Sequence, residues 1–191
     1  MKYIVFLSSC LFLVLLFSCH ATKTNEKQQV LWQKQKADSL HKKAQELMLQ
    51  NKHPEALRLL NKAIQGNPAN PWYYADKGAT EINLLLYQEG IEDIKKAIAL
   101  QLVNEKLYVN MAVGYNNLAI ETNKPNLLDT AIYYSNAAIK LNNNFGFAYY
   151  IRGESFLFKG DTISLCNNLS KALKTGFNEA MPRILKYCSK K

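Results

Sequence analysis

The sequence predicts an all-α protein built from a repeated pair of helices. The first support is a short phrase, Lys-Ala-Ile or a close variant, whose copies begin at Lys62, Lys96, Ala137 and Lys171, spaced 34, 41 and 34 residues apart. Periods of this length are typical of solenoids, in which each unit stacks on the next. The second support is composition: 48% of the 191 residues are hydrophobic, and eight glycines and five prolines are too few for a disordered or collagen-like chain. Leu, Ala, Lys, Asn and Gln dominate between few turn signals, which disfavours an all-β sandwich.

The chain opens with the pattern of a secretory signal over residues 1–18. Lys2 supplies a short positive region, and an apolar run from Ile4 to Phe17 follows it. This run is shorter than the roughly 20 apolar residues that span a bilayer with ease, so it predicts a signal peptide that takes no part in the fold. An uncleaved signal anchor is the alternative.

The segment Leu16-Phe17-Ser18-Cys19 resembles a lipobox, the signal of bacterial lipoproteins in which a small residue precedes a cysteine. The resemblance implies a lipid on the Cys19 sulfur, cleavage before Cys19 and acylation of the new N-terminus. Acyl chains hold a protein in a membrane because each buried CH₂ contributes about 0.8 kcal/mol. The polar residues 19–29 are predicted to form a flexible tether. Because residue 20 is not the Asp that retains lipoproteins in the inner membrane, we expect an envelope protein anchored in the outer membrane and facing the periplasm.

Residues 30–191 carry the repeats, and each repeat is predicted to be a helical hairpin. Small and bulky residues recur at matching places: Leu40, Ala44, Ala56, Leu60, Ala63 and Pro68 in the first; Tyr74, Gly78, Gly90, Ile94 and Ala97 in the second; Tyr108, Ala112, Tyr115, Ala131 and Ala138 in the third; Tyr149, Gly153, Phe156, Leu169 and Ala172 in the fourth. This pattern resembles the tetratricopeptide repeat (TPR), a helix–turn–helix unit. The resemblance implies a right-handed α-solenoid of about four repeats plus a capping helix, at about 37–70, 71–104, 105–145, 146–177 and 178–188.

The third repeat departs from this spacing by seven extra residues around Lys124-Pro125-Asn126. Seven residues make two helical turns, so we expect both of its helices to lengthen by about one turn and keep their faces. Small residues such as Gly78 and Gly153 are predicted to let helix backbones approach closely. Asn178 is predicted to open the capping helix, which would give the last repeat a polar outer surface.

No catalytic or metal-binding arrangement is recognisable in the sequence. His20, His41 and His53 pair with no cysteine or carboxylate at metal-ligand spacing. Glu92-Asp93 has the character of a solvated helix face, and no serine stands in a G-x-S-x-G context. We therefore predict a protein that is not an enzyme and that uses no cofactor, metal or small-molecule substrate.

The formal net charge of +9 lies mostly in residues 23–62 and in the C-terminal tail. No stretch combines a dense arginine run with interleaved aromatic residues, so nucleic acid is not an expected partner. A solvated basic surface is the interpretation we favour, and contact with anionic lipid headgroups near the anchor is the alternative.

The TPR resemblance implies a concave groove lined by the first helix of each repeat. The positions it assigns to that face are His41, Gln45, Trp72, Ala75, Ala79, Asn83, Lys106, Asn110, Val113, Asn117, Phe147, Tyr150, Glu154 and Phe158. Exposed aromatic side chains among asparagines suit an extended or helical peptide. In the alternative interpretation, Trp72, Phe147 and Tyr150 bury themselves between repeats.

Two functions are compatible with these features. The first is a lipid-anchored, non-catalytic adaptor that binds an envelope protein or peptide in the groove. The second is a cell-wall or glycan-associated accessory lipoprotein, whose aromatic side chains stack on sugar rings and which regulates a separate enzyme. Capture of an envelope protein would favour the first function, and sedimentation with peptidoglycan the second.

Two cysteines remain for a structural role. Signal removal discards Cys10 and lipidation uses Cys19, which leaves Cys166 and Cys188. A pair of cysteines in an exported, oxidising compartment is a disulfide candidate. The segment between them has the pattern of a helical hairpin that turns near Gly176, and it resembles the closing part of several bacterial TPR lipoproteins. Alternatively, each cysteine is a small apolar packing residue.

Overall fold

The computed structural model describes the backbone of residues 3–189 and the side chains of residues 26–189. Its elements, in chain order, are α1 (Tyr3–Leu49), α2 (His53–Gly66), α3 (Pro71–Asn83), α4 (Tyr87–Ala99), α5 (Glu105–Glu121), α6 (Leu127–Leu141), α7 (Gly146–Phe158), α8 (Thr162–Lys174), a 3₁₀ turn (Asn178–Ala180) and α9 (Met181–Tyr187). Residues 3–189 contain no strand, and the predicted all-α solenoid is confirmed.

Consecutive helices pair as hairpins: α1 with α2, α3 with α4, α5 with α6, and α7 with α8. The first helices of successive hairpins also contact one another, from α1 to α3 to α5 to α7. Each second helix contacts the first helix of the next hairpin. Because the first helices are drawn together, they form the concave face of the solenoid, and the second helices form its convex face.

Asparagine side chains determine where two of the first helices begin. The Asn70 side chain accepts a hydrogen bond from the backbone N–H of Trp72 at 3.0 Å, and Asn104 accepts one from Leu107 at 2.8 Å. Such N-caps satisfy backbone donors that the first helical turn leaves unpaired, and each contributes about 1 kcal/mol. Helices α3 and α5, which carry much of the predicted groove, therefore start at well-defined positions.

Glycines at helix crossings determine how closely the hairpin helices approach. A Cβ atom on Gly78 would lie 2.5 Å from the Gly90 carbonyl oxygen, and one on Gly90 would lie 2.7 Å from the Gly78 carbonyl oxygen. No side chain fits between these backbones, so the predicted close approach at Gly78 is confirmed. The α7–α8 crossing is looser, because a Cβ atom on Gly153 would lie 3.3 Å from the Cβ of Asn168.

The third hairpin accommodates most of its extra residues by lengthening its helices: α5 gains about one turn, as predicted, whereas α6 gains only two residues, about half a turn. Helix α5 has 17 residues and α6 has 15, whereas α3, α4, α7 and α8 have 13 each. The ring of Tyr134 stacks against Tyr115 and Tyr108, with centroid distances of 5.6 Å and 6.2 Å. These aromatic contacts join the two longer helices.

Helix α1 differs from the sequence-based description. It runs from Tyr3 to Leu49, so residues 19–29, for which the sequence predicts a flexible tether, are helical. No glycine or proline precedes Pro54, and Lys, Gln and Glu are good helix formers, so nothing interrupts the helix. The side chains of Cys10 and Cys19 lie outside the described residues, and lipidation of Cys19 stays a prediction. Within the described part of the chain, no helix has both the length and the hydropathy needed to cross a membrane.

The capping segment also differs from its prediction as one helix over 178–188. Asn178 belongs to the 3₁₀ turn and makes no capping hydrogen bond to α9, which begins at Met181. Pro182 accounts for the shift, because a proline lacks the backbone N–H and is compatible only with the first turn of a helix. Ile184 and Tyr187 of α9 pack against the core of α8.

Candidate partner-binding groove

The predicted groove residues lie on the first helices, which form the concave face. Helix α1 carries His41 and Gln45; α3 carries Trp72, Ala75, Ala79 and Asn83; α5 carries Lys106, Asn110, Val113 and Asn117; and α7 carries Phe147, Tyr150, Glu154 and Phe158. They recur every three or four residues, the spacing of one helix face. Two residues of this set, Ala75 and Glu154, are buried.

One pocket of about 260 Å³ brings part of this set together, between α5, α7 and α9. Five of the predicted residues line it: Val113, Asn117, Tyr150, Glu154 and Phe158. Three further lining residues, which sequence reasoning missed, are Asn116, Ile151 and Arg183. The predicted residues Ala79, Asn83, Lys106 and Asn110 lie outside this pocket, as does Phe147.

An ion pair between Glu154 and Arg183 forms the polar side of the pocket. Arg183 Nη2 donates to Glu154 Oε2 at 2.8 Å, although Glu154 is only 8% exposed. Burial raises the pKa of the Glu154 carboxyl above its ordinary value, and Arg183 opposes that rise. The second oxygen, Oε1, is buried and has no hydrogen-bond partner among the described residues. The pocket therefore holds a neutralised carboxylate with one unused acceptor.

The floor of the pocket is a buried polar contact between α5 and α7. Ser155 Oγ donates to Asn116 Oδ1 at 2.8 Å, and Asn116 Nδ2 donates to the Ile151 carbonyl oxygen at 3.3 Å. Buried polar groups that satisfy each other hold neighbouring elements in one arrangement. Asn116 and Ser155 thus hold the two helices that carry most of the pocket.

The aromatic residues divide between the two interpretations left open by the sequence. Phe147 and Tyr150 are partly buried against Phe177, with ring centroids 5.5 Å and 5.2 Å apart. Trp72 and Phe158, by contrast, are 49% and 46% exposed. Phe147 and Tyr150 therefore pack at least partly within the fold, whereas Trp72 and Phe158 are accessible to a partner.

At the N-terminal end of the concave face, the predicted groove residues bind to other side chains of the same chain. Asp76 accepts from Gln45 Nε2 at 2.8 Å and contacts His41 Nε2 at 2.7 Å. The His41 ring also packs on Tyr73, with centroids 4.8 Å apart. These side chains join α1 to α3, so His41 and Gln45 are engaged within the protein.

A disulfide between Cys166 and Cys188 ties α8 to the end of α9, with Cα atoms 5.7 Å apart. It holds the helix that brings Arg183 to the pocket. Among the described residues, no three or more His, Cys, Asp or Glu side chains are arranged to hold a metal ion.

No family model matches the chain. The Hsp70-Hsp90 organizing protein of Triticum aestivum is 33% identical over 78 residues, which are 41% of this chain and 13% of the wheat protein. The similarity thus covers less than half of this chain and a small part of that relative.

Solved structures resemble the chain over most of its length. The thermophilic TPR protein TTC0263 of Thermus thermophilus has a TM-score of 0.71 at 18% identity, over 78% of this chain and 82% of that one. MamA has a TM-score of 0.62 at 21% identity, over 76% and 81%. The TPR domain of Arabidopsis OM64 has a TM-score of 0.59 at 18% identity, over 66% and 98%. At these identities the likeness is one of fold.

Proposed function

We propose that this chain, which has the TPR fold, is a non-catalytic scaffold that binds a peptide or protein partner in its concave groove. The observation that carries the proposal is the pocket of about 260 Å³ in which five predicted groove residues meet. The local similarity to a wheat protein named for an organizing role supports it.

The pocket suits a partner group with an apolar stem and a hydrogen-bond donor. Val113, Tyr150 and Phe158 supply apolar wall. Glu154 Oε1 is a buried acceptor without a partner among the described residues. Because Oε1 has no contact with solvent in this arrangement, a ligand N–H reaches it only if the Glu154 side chain turns toward the pocket. The cost of about 1–3 kcal/mol for a buried unsatisfied polar group favours that turn once a ligand N–H is present. Because Arg183 already neutralises Glu154, a backbone or side-chain amide of a peptide is sufficient.

The finer proposal is that the groove operates in a bacterial envelope. Residues 1–18 would be removed as a signal peptide, and a lipid on Cys19 would hold the protein at the membrane. The lipobox-like segment Leu16-Phe17-Ser18-Cys19 supports this proposal. The partner would then be an envelope protein or peptide.

Capture from an envelope extract by the full-length chain tests the groove. Val113→Lys puts an ammonium group at the pocket. Tyr133→Lys is the control, because it introduces the same group on α6 at a residue that is 66% exposed and lies outside the pocket. We expect the captured protein to be lost with Val113→Lys and kept with Tyr133→Lys. Equal capture by the two variants would contradict the proposal. Sedimentation with peptidoglycan that Trp72→Ala abolishes would instead favour the glycan-associated function.

A further inference from the structure

The second and fourth hairpins can be compared residue by residue, because each position in α3–α4 has a counterpart 75 residues later in α7–α8. Side-chain contacts repeat with the same offset. Lys96 Nζ lies 4.5 Å from the ring centroid of Tyr74, and its counterpart Lys171 Nζ lies 5.9 Å from that of Tyr149. Charge differences between the two hairpins are therefore differences at equivalent places.

A basic residue occupies one such place in both hairpins, as Lys77 and as Arg152. In the second hairpin the positive charge is neutralised within the chain. Lys77 Nζ lies 2.7 Å from Glu81 Oε1 and also pairs with the carboxylate of Asp93. The second hairpin thus needs no external anion at this position.

The fourth hairpin lacks the matching carboxylates. Four positions that are acidic in the second hairpin, Glu81, Glu89, Glu92 and Asp93, are occupied in the fourth by Phe156, Ser164, Asn167 and Asn168. All four of these neutral residues line one pocket of about 340 Å³, together with Arg152, Ile132 and Asn136. A cation therefore stands in a pocket without any acidic lining.

Arg152 is held in place but not neutralised. Its Nε donates to Asn168 Oδ1 at 2.8 Å, and its Nη1 donates to Asn136 Oδ1. Asn168 is positioned in turn by donating from Nδ2 to the Ser164 carbonyl oxygen at 2.8 Å. In the described part of the chain, Arg152 forms no ion pair with an acid. Burial lowers the pKa of Arg152, which is the effect expected for a desolvated cation that lacks a counter-charge.

We propose that this pocket binds a carboxylate of a protein partner, which supplies the counter-charge that the fourth hairpin lacks. A guanidinium group can donate two parallel hydrogen bonds to one carboxylate. Because Asn168 and Asn136 occupy Nε–H and one N–H of Nη1, the pair left for this contact is the second N–H of Nη1 with an N–H of Nη2. Ile132 and Phe156 offer apolar wall to the stem of the acidic residue. The pocket opens between the second helices α6 and α8, on the convex face, so it is separate from the groove and does not depend on it.

The arginine side-chain signals in nuclear magnetic resonance test the proposal directly. The chain has only three arginines, Arg58, Arg152 and Arg183, so their Nε–H signals can be assigned with single Arg→Lys variants. The labelled full-length chain in detergent micelles is titrated with three tripeptides whose N-termini are acetylated. One has a central Glu and an amidated end, one has Gln in its place, and one has only alanines with a free C-terminal carboxylate.

We expect the Arg152 signal to shift with a carboxylate peptide and not with the Gln peptide, while Arg58 and Arg183 stay unchanged. Of the two carboxylate peptides, the one that shifts the Arg152 signal at lower concentration shows whether the partner's carboxylate is a side chain or a C-terminus. No Arg152 shift with either carboxylate peptide overturns the proposal. An equal shift at Arg58, which is exposed on α2, shows unspecific charge attraction and also overturns it.

Asn168→Asp recreates the internal acid that Asp93 provides to Lys77. It should weaken binding of the carboxylate peptide by about tenfold or more, because Arg152 is then neutralised from within. Asn143→Asp adds the same charge at an exposed position and should leave binding unchanged. Equal binding by the two variants overturns the proposal. If circular dichroism shows that Asn168→Asp does not fold, Arg152→Lys is used in its place. The lysine keeps the positive charge but lacks the paired donors of the guanidinium group. Undiminished peptide binding by Arg152→Lys overturns the proposal too.

Discussion

Removal of the Cys166–Cys188 disulfide should loosen the capping segment and, with it, one wall of the groove. The two cysteines are 22 residues apart in sequence. Closing a loop of that length restricts the unfolded chain by an amount worth about 3 kcal/mol at 25 °C. Helix α9 has seven residues and none of them is fully buried, so packing alone holds it weakly. Most of this stabilisation should therefore act on the cap.

Hydrogen exchange followed by mass spectrometry of Cys188→Ser measures the effect. In a solenoid each unit is stabilised by its neighbours, so we expect faster exchange in residues 177–188 and in α8, and unchanged exchange in α3 and α4. Arg183 Nη2, which lies 2.8 Å from Glu154 Oε2, should then move away from it, and partner capture should weaken.

The double variant Cys166→Ser/Cys188→Ser serves as the control. It should match the wild-type chain under a reducing agent, and the reducing agent should not change it further. Unchanged exchange in α9 of the double variant would refute the role of the disulfide in holding the cap. Faster exchange throughout α1–α8 would refute the expectation that its effect is local.

Three further changes test other parts of the molecule. Cys19→Ala should abolish fatty-acid labelling and leave the precursor uncleaved; normal labelling would contradict the lipoprotein prediction. Gly78→Ala puts a Cβ atom 2.5 Å from the Gly90 carbonyl oxygen and should lower the free energy of unfolding in urea by about 1–3 kcal/mol or more. Gly153→Ala should lower it less, because its Cβ atom would lie 3.3 Å from the Cβ of Asn168. Equal losses would show that these crossings are equally tight. Burial raises the pKa of Glu81 from 4.5 to about 7, so the folded state binds this proton more tightly than the unfolded state. Stability should then fall as pH rises across that interval, and Glu81→Gln should remove this fall; a variant that keeps the wild-type slope would contradict the assignment.

The helical hairpins are predictable from the sequence because each hairpin needs small residues at its helix crossing, and these residues recur at a regular spacing. Gly78 and Gly153 stand at equivalent crossings, and the phrase that marks each second helix recurs with them. The two ends of the fold are not predictable in the same way. The composition of a polar segment without glycine or proline does not distinguish a flexible tether from a helix. Residues 19–29 form a helix. At the other end Pro182 determines the start of α9, although Asn178 has the better capping side chain.

Part of the groove follows from the register of the repeats, since Val113, Asn117 and Glu154 fall on the face that the resemblance assigns. Arg183 escapes this reasoning because it comes from a helix outside the repeat pattern, and only its opposite charge to the buried Glu154 hints at a contact. The exposure of Phe147 and Tyr150 depends on Phe177, which lies between the end of α8 and the 3₁₀ turn and packs on both rings. Contacts between a repeat and the cap have no counterpart elsewhere in the sequence from which to infer them.

Site-specific photo-crosslinking in living cells tests the groove most directly. A photoreactive phenylalanine replaces Phe158, which is 46% exposed at the pocket, or Glu92 on α4, whose side chain is 56% exposed. We predict a discrete crosslinked protein from position 158 that disappears when Val113→Lys is added, and no such product from position 92. The same product from both positions, or one from position 158 that survives Val113→Lys, would contradict partner binding in the concave groove.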